Sequence, residues 1–99
     1  MTPENPLTVG TRKPRPLTIR SQFGTCHNAH QPMFSVHAGI EGEDAMVCAV
    51  AALKAAYETN ALALENAKEP MRSLLAATES SLEKGLALAE AVLLGMEHG

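Results

Sequence analysis

Four side chains able to bind a soft or borderline metal gather in one short stretch, Cys26, His27, His30 and His37, all within twelve residues. Thiolate and imidazole are zinc ligands, but a zinc module holds them in pairs at fixed intervals on a rigid turn. Cys26-His27-Asn28-Ala29-His30 matches no such interval, so no metal centre is expected, with weak binding at these four residues as the alternative. Nucleophilic catalysis needs a base within hydrogen-bond reach of a Ser or Cys, oriented by a third group. Asp44 is the single aspartate, and all four histidines lie outside the helical patterns. A di-metal carboxylate bundle would need Glu-x-x-His pairs on helices, and the sequence has none. Without a glycine-rich phosphate loop as well, the chain is expected to be no enzyme and to use no cofactor.

Charge is divided unevenly along the 99 residues, whose formal net charge is −3. Residues 1–31 carry four basic side chains, Arg12, Lys13, Arg15 and Arg20, against Glu4 alone, while residues 32–99 carry four basic and ten acidic ones. A basic arm beside an acidic body suits contact with that body or with an acidic partner. Nucleic-acid binding by Arg12, Lys13, Arg15 and Arg20, as in a transcriptional regulator, is therefore the alternative function, weakened by the lack of aromatic residues among them. Five of the six prolines precede residue 33 and disfavour helix and central strand there. Residues 1–31 are expected to be a flexible Pro-rich arm, and residues 32–99 the folded domain. The longest apolar run, Ala45 to Leu53, is too short to cross a bilayer. With no signal-peptide pattern and two cysteines that suggest reduced thiols, the expectation is a cytoplasmic protein without membrane contact.

Beyond Pro32, Phe34-Ser35-Val36-His37 alternates apolar and polar side chains, so residues 33–37 read as a short extended segment that either pairs, with its copy in a second chain as one solution, or serves as an extended lead-in. Glu43 and Asp44 then suit the first turn of a helix. The pattern predicts an all-α domain, an antiparallel two-helix hairpin with helices over about residues 43–68 and 70–96, broken at Glu69-Pro70. On the first helix Met46, Val50, Leu53, Tyr57, Asn60 and Leu64 recur at four-three spacing, a heptad seam with Asn60 as its polar, register-setting member. On the second, Met71, Leu75, Thr78, Leu82, Gly85, Ala89, Val92 and Met96 continue that spacing, while Leu62, Leu74, Leu86, Leu88, Leu93 and Leu94 fall beside the seams. An apolar face that wide exceeds what one partner helix covers. A homodimer forming a four-helix bundle, or a helical protein partner, is therefore expected. Its interface would use Met46, Val50, Leu53, Tyr57, Asn60, Leu64, Met71, Leu75, Leu82, Leu86, Val92, Leu93 and Met96.

The run Met33-Phe34-Ser35-Val36-His37-Ala38-Gly39, then Asp44-Ala45, Leu53, Ala56, Arg72, Glu83, Gly85, Leu88, Glu90 and Leu93, resembles a group of short uncharacterised bacterial proteins of domain-of-unknown-function families. These share an aromatic-x-Val-x-x-Gly lead-in and two Ala/Leu/Glu-rich helices. The resemblance implies a small accessory protein of a bacterium and carries no catalytic residue with it, while the wide apolar helical face points to a non-enzymatic role in protein–protein interaction.

Overall fold

The computed structural model describes residues 15–98, which fall into two compact units divided between Gly42 and Glu43. Arg12 and Lys13 lie outside the described residues.

In the first unit, two short strands, β1 (Ser21–Phe23) and β2 (Phe34–Val36), pair antiparallel, with Ser21 opposite Val36, Gln22 opposite Ser35 and Phe23 opposite Phe34. The extended segment thus finds its partner inside its own chain, in residues expected to be a flexible arm. Prolines disfavour structure only where they stand, and none occurs between Pro16 and Pro32. Thr18, in that window, ties the unit together. Its amide donates to the Ile40 carbonyl (2.9 Å) and its Oγ1 to the His37 carbonyl (2.7 Å), while the Gly39 amide donates to the Thr18 carbonyl (2.9 Å). The phenyl rings of Phe23 and Phe34 stack with centroids 5.5 Å apart.

The connection between the strands takes a left-handed path, with positive φ at Gly24 and then at Cys26, His27 and Asn28. Each non-glycine residue held there costs roughly 1–2 kcal/mol. Three local hydrogen bonds offset this: Ala29 N to Cys26 O (3.2 Å), His30 N to Thr25 O (3.2 Å), and Asn28 N to Thr25 Oγ1 (3.2 Å). Gly24 is doubly required, since a Cβ there would lie 2.7 Å from the Phe34 ring, whereas at Gly39, also at positive φ, a Cβ would meet nothing within 4 Å.

The second unit is helical. Helix α1 spans Gly42–Asn66 and α2 spans Met71–His98, so the first ends two residues earlier than the pattern suggested and the second starts one residue later and ends two later. The break at Pro70 is rebuilt by side chains. Glu69 accepts hydrogen bonds from the Ser73 amide (3.3 Å) and hydroxyl (2.7 Å), a capping contact that satisfies a first-turn donor of α2. The last turn of α1 contains no basic residue, and its Leu64 carbonyl instead accepts from the Arg72 guanidinium (3.2 Å) of α2, a cation at the negative end of the helix dipole. Among the described residues none is buried, and no hydrophobic core exists.

Gly24→Ala is expected to weaken the strand pair more than Gly39→Ala, because the first adds a clash with Phe34 to the backbone strain that both incur. Amide hydrogen exchange at Gln22 and Ser35 measures this, and equal exchange in the two variants would contradict it.

Candidate interaction face

The residues that α1 and α2 share begin with Asn60. Its side-chain Nδ2 donates to the Leu75 carbonyl at 3.0 Å, in a partly buried contact between the helices. Beside it, Ala55, Ala56, Thr59 and Ala63 of α1 and Leu75, Thr78 and Leu82 of α2 line one cleft of about 600 Å³. Alanines along α1 leave this space because a methyl group cannot span the gap between two helix backbones. Its walls carry no carboxylate, imidazole, thiol or amine, so it offers no acid, base or metal ligand.

Helical periodicity sorts the remaining side chains. On α1, Met46, Val50, Leu53, Tyr57, Asn60 and Leu64 are all half-buried, the four-three seam of the sequence. On α2 the half-buried set is Leu75, Glu79, Leu82, Leu86, Ala89, Leu93 and Met96, together with Gly85. Leu86 and Leu93 therefore sit on the seam, where Val92 was expected, and Met71 and Val92 are 56% and 46% exposed. The expected α2 seam passed through Thr78, which is exposed. Structurally Glu79 holds the position, as the aliphatic stem of a glutamate can lie along apolar surface while its carboxylate reaches water. A strict four-three count from Leu75 to Met96 that ignored charge would have found this register.

Large apolar side chains remain exposed on both helices, at Val47 and Leu62 on α1 and at Met71, Leu74, Leu88, Val92 and Leu94 on α2. Glu58 and Glu65 on α1 and Glu83, Glu90 and Glu97 on α2, each seven residues from the next within its helix, are exposed as well. Cys48, like Cys26, is an exposed free thiol. α1 is also long and apolar enough, by length and composition, to cross a membrane, with a mean hydropathy of 1.2 over its best window. That exceeds what the short Ala45 to Leu53 run suggested. Lys54 and Glu58 nevertheless stand mid-helix, and a lysine at a bilayer centre costs about 3 kcal/mol.

The four candidate metal ligands are dispersed. Cys26 and His27 occupy the left-handed turn, the His30 Nδ1 donates to the Gln31 carbonyl at 2.7 Å, and His37 follows β2. Among the described residues no three His, Cys, Asp or Glu side chains are placed to hold one ion. Of the basic residues, Arg15 pairs with Glu41 at 3.5 Å while staying largely exposed.

Asn60→Asp keeps the shape of the side chain but turns the donor facing the Leu75 carbonyl into a charged acceptor. A loss of about 1–3 kcal/mol is expected, read from chemical denaturation; unchanged stability would show that the contact does not hold the helices together. Compared with protein-family models, with curated proteins and with solved structures, the chain matches none.

Proposed function

We propose that this chain is a small non-enzymatic helical interaction protein of the cytoplasm, acting as a homodimer in which two hairpins combine into a four-helix bundle. One observation carries the reading: among the described residues none is buried, although the helices bear seven exposed large apolar side chains. Removing such side chains from water is worth roughly 1.5–3 kcal/mol each when burial is complete. A hairpin that shields one seam only halfway gains a fraction of that, and a second hairpin supplies the missing cover. The cleft, lined by no acidic, basic or metal-ligating side chain, and the dispersed Cys and His residues fit this role better than catalysis.

Light scattering on the purified chain should give twice the monomer mass at tens of micromolar, with helical circular dichroism falling on dilution. Residues 43–98 carry nine acidic and four basic side chains, so added salt should strengthen a self-association by screening like charges. A chain that stays monomeric at these concentrations overturns the proposal, and association weakened by salt would point to an oppositely charged partner instead.

A further inference from the structure

We infer, on the strength of the homodimer reading above, that the main contact of the dimer is made by α2 against α2 of a second copy, antiparallel and crossing near Ser81 and Gly85, with α1 on the flank of that pair. The exposed bulk is unevenly shared. α1 offers only Val47 and Leu62, whereas Met71, Leu74, Leu88 and Val92 of α2 lie on one stripe at three-four spacing, one residue round from the seam shared with α1. Small residues, Thr78, Ser81 and Gly85, fill the middle of that stripe and Gly95 ends it.

Gly85 is the second observation. A glycine inside a helix is less favourable than alanine, yet a Cβ at Gly85 would meet nothing within 4 Å, so packing within the chain does not account for it. A facing backbone at close range does. In an antiparallel pair the two kinds of seam position face one another. A twofold axis beside residue 83 then sets Met71 opposite the second copy's Gly95, Thr78 opposite its Leu88, Leu74 opposite its Val92, and Ser81 opposite its Gly85. Bulk meets small side chains in two layers, and small meets small at the crossing, where the rods come closest. A parallel pair would instead stack Leu88 on Leu88 and Gly85 on Gly85, leaving voids beside crowded layers.

The area also suits a second copy. Four side chains about half exposed bring on the order of 100 Å² each, so two copies contribute roughly 800 Å² of apolar side chain. The small residues and flanking alanines add to this, approaching the roughly 1,200 Å² at which stable complexes begin. Val47 and Leu62 on α1 supply half as many side chains and no glycine between them.

The test measures the dimer dissociation constant by sedimentation equilibrium for the full chain, Gly85→Ala, Gly85→Leu and Leu62→Glu, with helix content from circular dichroism. Both Gly85 variants should keep at least the original helix content, because the space around Gly85 is open and both residues favour helix. They should nevertheless dimerise more weakly, by roughly tenfold or more for leucine, while Leu62→Glu leaves the constant unchanged. Dimerisation equal or tighter in the Gly85 variants, or lost in Leu62→Glu, overturns the α2 contact while the dimer stands. An unaltered chain that is monomeric throughout overturns the dimer reading itself.

Discussion

The structure depends on a shortage of side-chain volume. Two helices touching along one seam can shield only the faces turned toward each other, and here α1 presents alanine at Ala55, Ala56 and Ala63 where it borders that seam. The result is a pair of rods with half-buried Leu and Met along the seam and with polar contacts from Asn60 to the Leu75 carbonyl and from Arg72 to the Leu64 carbonyl. Domains are ordinarily built by closing apolar faces around one core. In this chain no described residue reaches the buried state, and the helix faces remain available for contact.

Where side-chain bulk is lacking, polar groups close the turns. The link at Pro70 shows this most clearly: Glu69 holds the first turn of α2 through Ser73, and Arg72 reaches back to a terminal carbonyl of α1. Each contact satisfies a backbone group that a helix end leaves open, or brings charge to the favourable end of a dipole. The hairpin therefore reverses direction through hydrogen bonds that need no core behind them.

Polar closure also explains the first unit. A two-stranded ribbon of three residues per strand is marginal alone, and this one is held by Thr18 bridging to His37 and Ile40 and by the stacked Phe23 and Phe34 rings. Cys26 and His27, which as residue types suggest metal chemistry, stand at left-handed turn positions, and His30 has its Nδ1 engaged with the Gln31 carbonyl. The turn between β1 and β2 sets these residues' backbone.

The two helices, their break near Pro70 and the α1 seam from Met46 to Leu64 were all legible in the sequence, because helix periodicity and proline stereochemistry act within a few residues of chain. The strand Ser21–Phe23 was not, since a strand needs a partner and its partner lies eleven residues further on, across a turn that holds Cys26, His27 and Asn28 as well as Gly24 in the left-handed region. Nor was the α2 register at Glu79, Leu86 and Leu93, because a charged residue at a seam is acceptable only when its stem has a neighbouring helix to lie along and water within reach of its carboxylate. Local rules placed the rods. Which face of each turned inward, and how much stayed outside, depended on two distant stretches meeting, and that only the tertiary structure decided.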